Sequence, residues 1–376
     1  MILIALKRLL NRPLLTLLSI VGVTLAVGLV TSIPIFSKAV SFVMLKEELA
    51  NMSAKTGRPI FSMRVYVLPA AKYPLTLEQC ATLSDHVAET VISEVGLPLI
   101  AASRHIETSG LTLRTGDEES IYGQPNTILR SDMNLVVLPG AETRLKITAG
   151  EPMSADGTSA DGTLDVWMHQ TLADEMGLEA GETFEVRDLR HGVSVPVRIA
   201  GLWVTADRKD PFWFSNPDMS LRIKLLTREE DYRRLVEPAF NAQLGFVSWY
   251  LILDDSHLSP DEMQAYFDGL QEAIKIISKY LPDTRVDSSP LEPLQQAITR
   301  EANLTVLLFV FSVPVMGFLL YFLTLISTIT LRWQRRETAV MISRGLRRSQ
   351  LMVISLAETL IIVGIGCPLG IWVGIQ

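Results

Sequence analysis

The sequence predicts an integral membrane α-helical protein with a large mixed α+β extracytoplasmic domain, and three observations support that class. Three long stretches are almost free of charge: Leu14–Phe36, Thr305–Leu331, and Leu351–Ile375 with Glu358 alone. Each exceeds the roughly 18–20 apolar residues that cross a hydrocarbon core. Basic residues gather beside these stretches and acidic ones between the first two. The intervening 37–304 segment alternates between the two-residue period of strands and the 3.6-residue period of helices.

Charge sets the orientation. Residues 1–13 hold Lys7, Arg8 and Arg12 with no acid, a net of +3, and Arg332–Gln350 (RWQRRETAVMISRGLRRSQ) holds six arginines against Glu337, a net of +5. Apart from these and Glu358, 25 basic and 39 acidic residues remain, a net of −14. Positive charge on short loops stays cytoplasmic, so both basic segments are expected inside and the acidic middle outside, in a multi-pass protein of the plasma or bacterial inner membrane. The expected order is a cytoplasmic N-terminus at 1–13, a first span at 14–36, an extracytoplasmic domain at 37–304 and a second span at 305–331. A cytoplasmic loop at 332–350 and a third span at 351–375 follow. A cleaved signal peptide would have a shorter apolar core, about 7–15 residues, and a small-residue cleavage site. The sequence after the first run, SKAVSFVMLKEELANM, has none.

Phe42, Leu45, Leu49 and Met52 keep helical spacing, so the first span is expected to continue as a stalk until Gly57 and Pro59. A strand at Phe61–Leu68, a helix with Thr76 and Gln79 as capping box, and strands within Leu99–Arg114 then make one β-α-β unit. A strand at Phe246–Leu253, a helix beginning at Ser259-Pro260 and a strand at Thr284–Asp287 make a second. Between them a β-rich insertion is expected at about 120–245, with a strand at Leu164–Met168, a short helix at Thr171–Met176 and a hairpin over Phe184–Ala200. Its tandem SADGTSADGT, Ser154–Thr163, reads as a solvated loop; Asp156 and Asp161 lack the alternating oxygen ligands of a calcium loop. Pro290–Asn303 reads as a second helical stalk leading into the next span.

No phosphate-cradling G-x-x-x-x-G-K-[ST] is present, nor H-E-x-x-H, C-x-x-C or G-x-S-x-G, so neither a nucleotide site, a metal site nor a catalytic residue is predicted. His86, His105, His169, His191 and His257 are scattered and expected at surface or turn positions, and Cys80 and Cys367 fall in different compartments. Glu358 stands out because an ionisable group inside a span is a functional candidate by default. The alternatives are a helix–helix hydrogen bond, a pair with an arginine near the inner face, or a proton or substrate relay. Gly366, Gly370 and Gly374, four apart, let another helix approach closely and predict a packing face. Phe212, Trp213 and Phe214 in PFWFSNPD form an apolar run in a loop, a candidate contact for a lipidic substrate or partner unless they pack on their own domain.

The segment ETAVMISRGLRRSQL, Glu337–Leu351, resembles the signature of FtsX/MacB-like ABC transporter permeases, and Glu358 with GIGCPLGIWVG, Gly364–Gly374, fits the span that follows it. GTLDVWMHQTLADEMGLEAGETFEV with VRIAGLWV resembles the MacB-like periplasmic core domain. The resemblance implies that ATP and Mg sit on a separate cytoplasmic ATP-binding subunit and that this chain holds no cofactor. It implies coupling roles for Glu337, Arg344, Gly345, Arg347, Arg348, Ser349 and Gln350. The expected function is that of a permease in a transport or mechanotransmission complex, moving an extracytoplasmic domain that handles a lipid, lipoprotein, peptide or partner protein. Expected partners are the ATPase, a second permease copy or homologous half, membrane lipid and an extracytoplasmic protein, with no nucleic acid. The family has a fourth span and this sequence stops at Gln376, so a fragment or the first half of a duplicated permease is expected. The alternatives are a membrane sensor or scaffold with a ligand-binding ectodomain, and a membrane-anchored hydrolase.

Overall fold

The structure, a computed structural model, describes residues 2–69, 75–116, 121–154, 157–159, 162–188, 192–240, 244–287, 290–343 and 348–375. Contacts divide the chain into two compact units, Met1–Met44 with Gln296–Gln376, and Leu45–Gln295. A short helix α1 (Ile2–Leu10) precedes α2 (Pro13–Thr56), a single helix of 44 residues. Pro13 opens α2, where a missing N–H costs nothing. Gly57, at φ 68, ends it by donating its N–H to Ser53 O at 2.8 Å.

In the Leu45–Gln295 unit, β1 (Ser62–Val67), α3 (Leu77–Val95) and β2 (Leu99–Glu107) form the first β-α-β unit. The capping box is present: Gln79 N donates to Thr76 Oγ1 at 3.3 Å and Thr76 N to Gln79 Oε1 at 3.1 Å. The strands β3 (Leu111–Arg114), β4 (Ile128–Val137), β5 (Leu145–Gly150) and β6 (Leu164–His169) follow. After helix α4 (Gln170–Met176) come β7 (Thr183–Arg187), β8 (Ser194–Thr205) and β9 (Lys224–Thr227). The second β-α-β unit is β10 (Phe246–Leu253), α5 (Met263–Tyr280) and β11 (Arg285–Asp287), with a 3-10 turn at Pro260–Glu262 ahead of the helix.

The two β-α-β units interleave. Sheet order β11-β1-β10-β2, antiparallel at every step, seats β10 between β1 and β2, with Val65 opposite Trp249 and Trp249 opposite Arg104. One face buries Met63, Val65, Val247, Trp249 and Leu251, and Trp249 Nε1 donates to Ser84 Oγ on α3 at 2.9 Å. Helices α3 and α5 meet at Gly269, where a Cβ would lie 2.2 Å from the backbone oxygen of Glu94. Gly269→Ala is therefore expected to destabilise this unit by about 1–3 kcal/mol, because backbone cannot yield as a side-chain tip can. Thermal unfolding that matches the parent protein would refute this close approach.

The insertion is a closed six-strand barrel in the order β3-β4-β9-β6-β8-β7 and back to β3. The pairs β4–β9 and β6–β8 are parallel and the rest antiparallel. It begins earlier than about residue 120, because β3 pairs with β4 and β7 instead of staying with the first β-α-β unit. Nor is it a detached lobe: β2 hydrogen-bonds to β4, with Ile106 opposite Val137, so barrel and interleaved sheet share one ladder. Alternation sorts the barrel strands. Leu135, Leu225 and Met168 lie on one face, and Val136, Leu226 and Trp167 on the other. The latter face packs with Trp203, Phe212, Trp213 and Leu221 in a second core.

Helix α6 (Leu291–Ser343) has 53 residues and α7 (Arg348–Ile375) has 28. Residues 332–343, expected as loop, continue α6 as helix, because no glycine or proline interrupts the sequence between Gly317 and Gly345. Among the described residues three helices are long and apolar enough to cross a membrane, at Pro13–Thr56, Leu291–Arg332 and Ser349–Ile375. Only 11, 6 and 17% of their most apolar windows is buried, so most of this apolar surface faces outward, as a multi-pass membrane protein requires of lipid-exposed helices.

Candidate functional site

The arginine-rich segment lies where α6 gives way to α7. Glu337 is in α6, and Arg348, Ser349 and Gln350 form the first turn of α7. Arg344, Gly345 and Arg347 lie outside the described residues. Ser349 is exposed and Gln350 half-buried.

Glu358 sits a little over two turns further along α7, and its residue exposure is 6%. Arg8 Nη1 on α1 approaches Glu358 Oε1 at 3.2 Å. An arginine does pair with Glu358, but it comes from the N-terminal helix, 350 positions away in sequence. Pairing of this kind is common for an ionisable group inside an apolar helix.

The glycine row on α7 faces α2. A Cβ on Gly366 would lie 2.8 Å from Val23 Cγ1, one on Gly370 would lie 2.7 Å from Val27 Cβ and 2.8 Å from Thr24 O, and one on Gly374 would lie 2.9 Å from Gly28 O. Thr24 Oγ1 donates to Gly366 O at 3.3 Å. Gly28 is the counterpart that sequence reasoning missed: a Cβ there would lie 3.3 Å from Gly370 O. Its signal was available in the small or hydroxylated row Thr24, Gly28 and Thr31, spaced four and three apart.

Phe212, Trp213 and Phe214 need correction as a surface contact, since they are 8, 6 and 3% exposed. Asp210 Oδ1 accepts the Phe212 N–H at 2.9 Å and turns the segment inward. Arg144 lies over Phe212 at 4.3 Å, Trp213 Nε1 donates to Asp207 O at 3.1 Å, and Phe214 stacks on Tyr250 of β10 at 4.7 Å and 9°. Apolar character in this loop therefore reflects burial against the barrel and the interleaved sheet.

Two histidines are also inside rather than at surface positions, His105 and His169, each 4% exposed. His169 Nδ1 accepts the Thr171 N–H at 3.2 Å and caps α4. His105 Nε2 meets Glu107 Oε1 at 2.6 Å, and Lys224 also pairs with Glu107. Burial pushes the His105 imidazole below its ordinary value, against the pull of the Glu107 hydrogen bond and charge. Burial by itself would raise Glu107, but the His105 hydrogen bond and the Lys224 charge outweigh it and hold the carboxyl below its usual range.

A larger buried charge network escaped sequence reasoning. Arg228 donates Nε to Asp231 Oδ2 at 2.6 Å and Nη2 to Asp165 Oδ2 at 2.8 Å, while Arg198 Nε reaches Asp165 Oδ1 at 2.8 Å. Ser159 N donates to Asp231 Oδ1 at 2.9 Å, and Ser159 is 3% exposed. Within the SADGT repeat Ser159 is thus anchored, while Ser154, Thr158 and Gly162 are exposed as expected of a solvated loop; Asp156 and Asp161 lie outside the described residues. Among the described residues no group of three or more His, Cys, Asp or Glu could hold a metal ion.

No family model matches the chain, and no curated protein matches it. Among solved structures there is a distant likeness to “a domain of a putative Permease protein from Porphyromonas gingivalis”. The two are 13% identical over 60% of this chain and 85% of that one, with a TM-score of 0.30, and so weak a likeness carries no argument.

Proposed function

We propose that the chain is a permease of an ABC-type transport or mechanotransmission complex, in which a separate cytoplasmic ATPase holding ATP and Mg drives movement of the Leu45–Gln295 unit outside the cytoplasm. One observation carries this reading: that unit is bounded in sequence by helices that run on, unbroken, from candidate spans, α2 up to Thr56 and α6 from Leu291. A helix transmits axial and lateral displacement because its hydrogen bonds are internal, whereas a flexible linker would absorb it. The resemblance of Glu337–Leu351 to the permease signature supports the same reading. On it, Glu337, Arg344, Gly345, Arg347, Arg348, Ser349 and Gln350 face the ATPase, and a second permease copy or homologous half completes the complex.

Affinity purification of the full chain from its native membrane tests the proposal. An ATP-binding cassette protein should co-purify, and Arg347→Glu with Arg348→Glu should cut its recovery at least about tenfold, as expected for reversed charges at an interface. Unchanged recovery after charge reversal would count against these residues as the coupling surface. Impermeant labelling of the arginine-rich segment and the SADGT repeat from the same side of the membrane would remove the topology on which the function depends.

A further inference from the structure

A cavity of about 230 Å3 opens among α1, α2, α6 and α7, all within the membrane-helix unit. Arg8, Arg12 and Glu358 line it. Its wall is otherwise rich in hydroxyls, among them Ser327 on α6 and Ser355 on α7. Thr16 and Ser19, on the same wall, spend their donors on the carbonyls of Leu9 and Leu15, both at 2.9 Å. Among the described residues Ser327 and Ser355 make no such bond, and both are exposed.

The lining is basic at one end and apolar at the other, where Val23, Leu323, Ile362 and Val363 lie roughly 12–18 Å further into their spans than Arg12, Leu331 and Leu351. Arg12 stands just before the first apolar run, Leu331 closes the second, and Ser355 and Glu358 fall within about two turns of the start of the third. The end that carries Arg8 and Arg12 is at the level of lipid phosphates and glycerol backbones in a bilayer. Exposed leucines stand beside it on the spans, Leu17 at 59%, Leu356 at 62% and Leu360 at 62%, and these offer a surface for acyl chains.

We infer that this cavity binds the phosphate of an anionic membrane phospholipid, held by Arg8 and Arg12 with Ser327 and Ser355 as further donors. Glu358 opposes an anion by itself, but Arg8 engages its carboxylate at 3.2 Å. A guanidinium carries five N–H donors in a planar fork that suits phosphate oxygens. Basic pockets between spans on the cytoplasmic side are where anionic headgroups bind. The lipid is a resident ligand rather than cargo, so this site stands apart from the permease reading and survives its failure.

The test is native mass spectrometry of the full chain in mild detergent, with dioleoylphosphatidylglycerol or dioleoylphosphatidylcholine added at equal concentration. The anionic lipid should be retained about tenfold more strongly, the effect of roughly one charge-assisted hydrogen bond. Arg12→Gln should bring it down to the level of the zwitterionic lipid. Ser327→Leu should do the same by filling the cavity at unchanged charge, and it decides the matter if Arg12→Gln does not fold. Arg332→Gln, a charge change outside the cavity lining, should leave retention intact. Equal retention of the two lipids, or retention unaffected by both cavity variants, would overturn the site. So would displacement by millimolar inorganic phosphate, which would assign a free anion, or a dimer contact that seals the cavity and excludes lipid.

Discussion

Asp231→Ala is expected to lower the unfolding free energy of the Leu45–Gln295 unit by about 3–5 kcal/mol, the usual cost of removing one member of a buried ion pair. Asp231 is 0% exposed and accepts from Arg228 Nε at 2.6 Å, Ser159 N at 2.9 Å and Arg234 Nη2 at 3.0 Å. Its loss leaves Arg228, itself 7% exposed, to share Asp165 with Arg198. Thermal unfolding of the full chain followed by tryptophan fluorescence reads the effect, since Arg228 lies over the Trp167 ring at 5.0 Å. A loss below about 1 kcal/mol would mean that water solvates the network.

The same network has a pH signature. Burial alone would raise the Asp231 carboxyl, but hydrogen bonds from Ser159 and Arg228 more than offset it and hold the group below its ordinary value of 3.8. A carboxyl depressed in the folded state contributes stability that is fully present above its unfolded value and is lost as pH falls through the folded one. Stability should therefore decline below about pH 4, and the decline should be shallower in Asp231→Ala. Identical acid profiles for the two proteins would contradict the assignment.

What the sequence disclosed was what local chemistry encodes. Thr76 and Gln79 bracket a helix start, Gly96 adopts the left-handed φ of 74° that ends it, and the charge-free runs mark the spans. Interleaving was hidden because it depends on pairing across distance: Val65 meets Trp249 only after the whole barrel has intervened. β4 was obscure for a different reason, since its polar centre and Asp132 at φ 59 interrupt the alternation that marks a strand. Asp165 sits in an apolar strand where alternation gives no reason to bury a charge, and the reason is Arg228, 63 positions later. Glu358 was visible as an anomaly, but its partner Arg8 was not, because the arginines of the segment 332–350 offered themselves first. The aromatic run misled in the opposite sense: composition shows that Phe212–Phe214 avoids water, and only the fold shows what it avoids water against.

Gly370→Leu is expected to force α2 and α7 apart. A leucine Cβ has no rotamer that moves it, and it would arrive 2.7 Å from Val27 Cβ and 2.8 Å from Thr24 O, one a branched carbon fixed to its helix and the other backbone. Overpacking of this kind costs about 1–3 kcal/mol and more where backbones must separate. Gly364, on the same helix, has nothing within 4 Å of its Cβ position, so Gly364→Leu should stay within about 0.5 kcal/mol of the parent protein. Melting temperature of the full chain in detergent compares them at equal added hydrophobicity, and equal temperatures would sink the packing face. The contrast also bears on movement. Gly366, Gly370 and Gly374 meet α2 on successive turns, and Thr24 bonds to Gly366 O at 3.3 Å, so sliding one helix along the other would drive Val23 or Val27 into backbone. On the permease proposal, displacement applied at the first turn of α7 would carry α2 with it. On the same proposal, a Gly370→Leu protein that still assembles should keep the proposed cytoplasmic ATPase yet lose the coupling between the two sides of the membrane.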